Sequence, residues 1–287
     1  MHKVQAKGIL SAKNGMNVYR GCTHGCIYCD ARSDCYNIGH EFEDIEVKEN
    51  APELLEKALR AKRKRCMIGT GAMCDPYLHA ERELEITRRC LEIIYKYGFG
   101  VTLLTKSDLI LRDIDLIDEI NRNAKAVVQM TLTTADDELC RIVEPNVCAT
   151  SRRFEVLLEM KRRGIPTVIW FTPQLPYIND TVGNVLDIVG MGAEAGVRGI
   201  ISFGMGMTLR SGDREHYYAQ LDRYFPELKQ RYIREFGDSY EIPCPNGKAM
   251  WKAFVGECER YGIMWKQDKI FEFLEEFPEP EQLTLEI

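Results

Sequence analysis

The stretch YRGCTHGCIYCD, residues 19–30, places Cys22, Cys26 and Cys29 in a C-x3-C-x2-C spacing with His24 between the first two. Thiolates gathered this closely bind soft or borderline metals. One reading is zinc with His24 as the fourth ligand. Zinc sites usually draw a second ligand pair from elsewhere in the chain, and here one short loop would have to wrap all four tetrahedral corners. An electron-transfer [4Fe–4S] cluster is a second reading, but it takes four cysteines, and the nearest spare, Cys35, lies outside ferredoxin spacing. A [4Fe–4S] cube held by only three thiolates is the third. It leaves one iron open to another ligand, as catalytic zinc sites keep an open position. The missing fourth thiol then marks the place where chemistry happens. Gly21 and Gly25 suit this reading, because backbone without Cβ approaches inorganic sulfide closely.

Such a loop needs a scaffold, and the middle of the chain supplies one by pattern. Short β-branched runs at 16–20, 66–70, 100–105, 126–133, 167–172 and 199–204 alternate with longer segments of 3.6-residue period. The runs are almost continuously apolar, as parallel strands covered on both faces are. In PELLEKALRAKRKR, residues 52–65, Leu54, Leu55, Ala58 and Leu59 share a face and Pro52 suits the first turn. RELEITRRCLEIIYKYG stops at Gly98, SRRFEVLLEMKRRG at Gly164, and DTVGNVLDIVGMGAEAG near Gly196. Six strand–helix units are too few for a closed eight-stranded barrel, so the pattern predicts a partial barrel or an open doubly wound parallel sheet. Residues 1–204 form this α/β core, and 205–287 read as a mostly helical extension packed on it. Its last stretch, FEFLEEFPEPEQLTLEI, reads as a packed strap or partly mobile tail.

Bulk properties narrow the function. The 287 residues are 45% hydrophobic and 29% charged, an ordinary globular mixture. No apolar run approaches the roughly 20 residues of a membrane span. The start, MHKVQAKGIL, lacks a signal-peptide core, which points to the cytoplasm. Eleven cysteines, an odd number, argue against a disulfide framework. A net charge of −6 gives no general attraction to nucleic acid, and RAKRKR and KRRG read as solvated helix ends. His40 and His216 have no partner spacing and read as surface residues. In a parallel α/β fold chemistry gathers where strands end. The cysteine loop, GAMCDPY (71–77), KSD (106–108), Thr133–Thr134, PQLP (173–176) and MGM (205–207) are therefore expected to line one rim.

The chain resembles the radical S-adenosylmethionine (SAM) superfamily, whose signature is the C-x3-C-x2-C of Cys22, Cys26 and Cys29. Within it the sequence is similar to the spore photoproduct lyase-like branch, also labelled DNA repair photolyase-related. The strings that carry the resemblance are GMNVYRGCTHGCIYCDARS, DPYLHAERELEITRR, LLTKSDLILRDIDLI, EP at 144–145, GIP at 164–166, LPYIND at 175–180 and TLRSGDRE at 208–215. The resemblance implies a partial (β/α)6 barrel. It also implies a [4Fe–4S] cluster on the three cysteines, SAM bound at the open iron, and reductive cleavage to methionine and a 5′-deoxyadenosyl radical. That radical abstracts hydrogen from a substrate left open here, a DNA photolesion being what the branch is named for. A reduced flavodoxin or ferredoxin is the implied electron donor.

Residue by residue, the resemblance implies that Tyr28 packs beside adenine and that Gly69, Thr70 and Gly71 hold the amino end of SAM. Lys106 pairs with its carboxylate, and Thr131, in preference to Thr133, offers a hydroxyl. Asp75, Tyr77 and Glu81 either contact SAM or form a rigid turn. Arg112, Asp113, Glu144 and Arg153 read as structural ion pairs. The hydrogen-donor cysteine of spore photoproduct lyase falls at Ala72 here, with Cys74 nearby as a candidate donor or a small apolar residue, and His79 replaces a common proline. The acidic balance and the lack of a basic DNA-binding hairpin argue against carrying over the repair reaction. The competing reading is a non-catalytic zinc- or cluster-binding recognition or sensor module on a barrel scaffold.

Overall fold

Six parallel strands, standing side by side in the order in which the chain makes them, form the central sheet: Gly15–Met16, Met67–Thr70, Gly100–Thr105, Ala126–Thr131, Thr167–Trp170 and Gly199–Ile201. The computed structural model describes residues 1–278. A doubly wound sheet would reverse direction partway and carry helices on both faces. An order without reversal, joined by right-handed crossovers, keeps the crossover helices on one face and leaves the other to line a barrel interior. The fold is an α/β partial barrel, with helices Ala51–Ala61, Ile86–Tyr97, Ile114–Asn123, Thr150–Arg162 and Val182–Ala195 between the strands.

Side-chain alternation decides what each face receives. Ala126, Val128 and Met130 of the fourth strand point outward and pack with Ile117, Ile120 and Leu157 of the helices in the main apolar core. Val127, Gln129 and Thr131 point inward, in layers. At the bottom Val127 and Val168 meet Ile270 and Leu274 of helix Gln267–Glu275, which plugs that end. In the middle Trp170 Nε1 donates to Gln129 Oε1 at 2.7 Å. Thr131 is at the top, facing the rim.

Several elements differ from the sequence expectation. The run at 16–20 is split: Gly15–Met16 joins the barrel, whereas Tyr19–Arg20 joins a small sheet with His2–Val4 and Glu46–Lys48. The first helix ends at Ala61, so Lys62–Arg65 lie beyond it, because the buried stripe of Leu55 and Leu59 has run out. The 82–98 segment breaks at Glu85, which has φ 48° between helices Glu81–Leu84 and Ile86–Tyr97. Beyond Gly204, strands Gly206–Thr208 and Glu241–Pro243 pair antiparallel across two intervening helices, Asp213–Tyr224 and Leu228–Phe236, and the rest of the regular structure is helical. Helix Gly247–Tyr261 packs on Val182–Ala195 through Met250, Phe254 and Cys258. Residues 279–287 of the acidic last stretch lie outside the described residues. Among the described residues no helix is long and apolar enough to cross a membrane.

Candidate functional site

A cavity of about 760 Å³ opens at the C-terminal ends of the barrel strands. Five of the six loops expected at the rim reach it: the cysteine loop, residues 71–75, Lys106, Pro173, and residues 203–208. Thr133–Thr134 do not. Both are buried, and the Thr133 carbonyl accepts from Asn179 Nδ2 at 2.9 Å and Asn184 Nδ2 at 3.0 Å, so the LPYIND segment covers that loop. The strand pair of the C-terminal extension supplies the remaining wall through Tyr240, Glu241, Ile242 and Pro243.

The cysteine loop is held from behind by backbone. Cys22 N donates to Phe42 O at 2.9 Å, Ile27 N to Val143 O at 3.0 Å, and Asn146 N to His24 O at 3.1 Å. Asn146 Nδ2 adds a bond to Thr23 O at 2.9 Å. Gly21 and Gly25 both have positive φ, 84° and 71°. A Cβ on Gly21 would stand 2.5 Å from the Phe42 carbonyl, and one on Gly25 3.1 Å from Asn146 Nδ2. The glycines thus also permit the docking of neighbouring loops, a role the sequence did not disclose. Burial pushes the Cys22 thiol up to about 12 and raises Cys26 and Cys29 as well, with Lys106 opposing the rise at all three. Without metal these sulfurs keep their protons. A metal group would displace those protons, with the Lys106 charge favouring the thiolates.

Charge around the pocket is arranged in two ways. Arg153 is fully buried: its Nη2 meets Glu144 Oε2 at 2.5 Å, Nη1 donates to Thr131 O at 2.9 Å and Nε to Cys148 O at 2.8 Å. Tyr28 donates its hydroxyl to the other oxygen of Glu144. The Lys106 ammonium has no hydrogen bond or ion pair among the described residues and lies 6.0 Å from the centre of the Tyr28 ring, where it faces the cavity. Asp75 fixes its backbone: the carboxylate accepts from Lys106 N at 2.8 Å, Thr105 Oγ1 at 2.7 Å and Tyr77 N at 2.8 Å.

The radical SAM superfamily model matches residues 16–189 of this chain. The chain belongs to the radical SAM superfamily. An uncharacterised protein of Mycobacterium tuberculosis is 30% identical over 238 residues, covering 81% of this chain and 69% of its own. Another from Methanocaldococcus jannaschii is 32% identical over 175 residues, covering 60% and 64%. A spore photoproduct lyase variant with bound AdoMet and dinucleoside spore photoproduct superposes with a TM-score of 0.62 at 11% identity, covering 88% of this chain and 75% of that one. A radical SAM methyltransferase of Kitasatospora setae, with cobalamin and a [4Fe–4S] cluster bound, gives 0.54 at 11% identity over 94% and 54%. At such identities the likeness is one of fold. The protein is a radical SAM enzyme with a spore photoproduct lyase-like barrel.

The residues present suit the iron–sulfur cluster and SAM that the superfamily implies. A single zinc with three Zn–S bonds would hold its sulfurs about 3.8 Å apart. Among the described residues the one set of three His, Cys, Asp or Glu donors within 4.8 Å of one another is His2, His40 and Glu46, so the three sulfurs are spread wider than one ion requires. His24 Nδ1 stands 3.6 Å from Asp75 Oδ2, and burial holds the imidazole in its neutral form. The spread of the sulfurs disfavours the zinc reading of the loop.

Of the residues expected at a radical SAM pocket, Cys22, Cys26, Cys29, Tyr28, Gly71, Cys74, Asp75, Lys106 and Thr131 line one cavity. Gly69 and Thr70 lie below it in the second strand, outside the lining. Gly71 has φ 99°, and a Cβ there would come within 2.0 Å of Leu104 O. Cys74 Sγ donates to Gly21 O at 2.8 Å. Tyr77 and Glu81 are in the core, Glu81 as the first residue of the short helix Glu81–Leu84. Glu81 accepts from Arg112 at 2.8 Å, and Arg112 also binds Asp113 at 2.8 Å, so these are braces. The sequence reading missed Asn146, Trp170, Phe203 and Tyr240. Only the strand-end rule pointed toward Trp170 and Phe203, whereas Tyr240 lies in the extension beyond every strand end the rule covered; Phe203 and Tyr240 are 54% and 46% exposed.

Proposed function

We propose that Cys22, Cys26 and Cys29 bind a [4Fe–4S] cluster through three of its irons, and that Tyr28, Gly71, Lys106 and Thr131 seat SAM against the fourth. When bound and reduced, the pair supplies reductive cleavage of SAM and a 5′-deoxyadenosyl radical that takes a hydrogen atom from substrate. The observation that carries the reading is the unpaired Lys106 ammonium, which faces the same cavity as the three thiols. An unmatched cation there pairs with the SAM carboxylate as a compact point charge. Asp75 holds Lys106 at its backbone, and Glu144 holds the Tyr28 ring so that its face lines the cavity beside the adenine.

Substrate enters over Trp170, Phe203 and Tyr240, whose rings offer stacking faces to a planar heterocycle. A dinucleotide photolesion, which spore photoproduct lyase binds, is one substrate of that kind. Cys74 lies in the lining as the candidate hydrogen donor to a product radical. A flavodoxin or ferredoxin supplies the electron. Anaerobic reconstitution should yield about four irons per chain and, with dithionite and SAM, 5′-deoxyadenosine. Cys22→Ala, Cys26→Ala and Cys29→Ala should each abolish the nucleoside product. Turnover at the wild-type rate in any of the three would overturn the assignment, and zinc held through the three cysteine sulfurs, with no iron, would favour the recognition module instead.

A further inference from the structure

A second set of metal-binding side chains lies on the far side of the cysteine loop, assembled from distant parts of the sequence. His2 opens the strand His2–Val4, and Glu46 is its direct partner in the parallel strand Glu46–Lys48. His40 comes from the loop that precedes the second strand, and its ring meets that of His2 edge-to-face with centroids 4.9 Å apart. Donor atoms of all three residues lie within 4.8 Å of one another.

Both imidazoles are oriented as metal ligands are. His40 Nδ1 lies 2.9 Å from the Glu41 carbonyl, which makes that nitrogen the N–H and leaves the lone pair on Nε2. This Nε2 is buried, has no hydrogen-bond partner among the described residues and stands 3.9 Å from Glu46 Oε2. His2 Nδ1 lies 2.9 Å from Asp44 Oδ2, the carboxylate–histidine pairing that orients a metal-bound ring. Asp44 is held in turn by the Met1 amino group at 2.5 Å.

We propose that His2, His40 and Glu46 bind one divalent transition metal, zinc by ligand type, with Asp44 and the Glu41 carbonyl as supporting acceptors and water in the fourth position. Nitrogen and oxygen ligands of one zinc stand about 3.3 Å apart, so the 3.9 Å gap closes by a small side-chain rotation. The metal ties the N-terminal strand to the loop that backs the cysteines. Phe42, two residues after His40, accepts from Cys22 N, and a Cβ on Gly21 would lie 3.6 Å from His40 Cε1. The site is independent of the cluster and takes a different metal.

The 287-residue chain without an affinity tag tests this, reconstituted with iron and sulfide and then equilibrated with zinc chloride at micromolar free zinc. Elemental analysis should find one zinc per chain beyond the iron, and the same zinc in the Cys22→Ala/Cys26→Ala/Cys29→Ala variant. His40→Ala and Glu46→Gln should lose it, and Asp44→Asn should bind it about 10–100-fold more weakly. X-ray absorption should show only nitrogen and oxygen neighbours at about 2.0–2.2 Å. Sulfur neighbours, zinc retained in Glu46→Gln, or no zinc at all would each overturn the proposal. Should His40→Ala fail to fold, as read by circular dichroism, Glu46→Gln and Asp44→Asn carry the test.

Discussion

Arg153 and Lys106 both bring positive charge to the pocket, and the protein treats them in opposite ways. Arg153 is sealed from solvent with its guanidinium matched to Glu144 and two backbone carbonyls. Lys106 is half-buried, fixed at its backbone by Asp75, and left without a hydrogen bond or ion pair at its ammonium among the described residues. A buried charge that is fully matched acts as a brace, whose loss strands its partner in a medium that cannot solvate it. A charge held toward a cavity and left unmatched gains its partner only when ligand arrives. Stability and binding should therefore separate cleanly between the two residues.

The largest effect is expected at Arg153. Arg153→Met leaves Glu144 buried without its cation and should cost about 3–5 kcal/mol in a urea or guanidinium unfolding series. Lys106→Met should lower the unfolding midpoint far less than Arg153→Met, because Lys106 supports Glu144 only through space and not by a hydrogen bond. It should weaken SAM binding to the reconstituted enzyme about 10–100-fold, the worth of one charge-assisted contact of about 1.5–3 kcal/mol. A Lys106→Met protein that unfolds early yet binds SAM normally would reverse the comparison.

Acid titration sharpens the same contrast. Burial pushes the Glu144 carboxyl up, but Arg153 and Lys106 outweigh it and hold the group below its usual range. The stability this contributes is fully present above the unfolded carboxylate value of about 4.3, and it is lost as pH falls below that toward the folded value. Urea midpoints of the wild type should drop more steeply between about pH 5 and pH 3 than those of Glu144→Gln. Parallel acid limbs would show that the pair is not linked to folding. The smallest effect should come from Tyr28→Phe, which removes one hydroxyl bond to Glu144 at about 0.5–1.5 kcal/mol and keeps the ring face. Its SAM affinity should stay within a few-fold of the wild type, measured by the same binding assay.

The cysteine motif was legible because its three cysteines sit in one short loop, where spacing alone limits how far apart three sulfurs can be. The barrel strands were legible as apolar runs, and their ends predicted most of the rim. Thr133–Thr134 were an exception: alternation could not say that Asn179 and Asn184 would cover that loop. Tyr77 and Glu81 were ambiguous for a similar reason, since a single left-handed residue, Glu85, ends the short helix that carries Glu81 into the core. His40 read as a surface residue because His2 is remote from it in sequence. Strand pairing sets His2 beside Glu46, and the His40 ring packs on that of His2.

By itself the sequence determined the local chemistry: three thiols on a glycine-flanked loop, and alternating strand and helix patterns that demand a parallel sheet. Its periodicity did not choose between an open sheet and a barrel. The strand order did, because an order without reversal places every crossover helix on one face and frees the other to surround a cavity. Only the tertiary structure decided which cations are matched and which are left unmatched. That depends on contacts between loops far apart in the chain, and no local pattern encodes them.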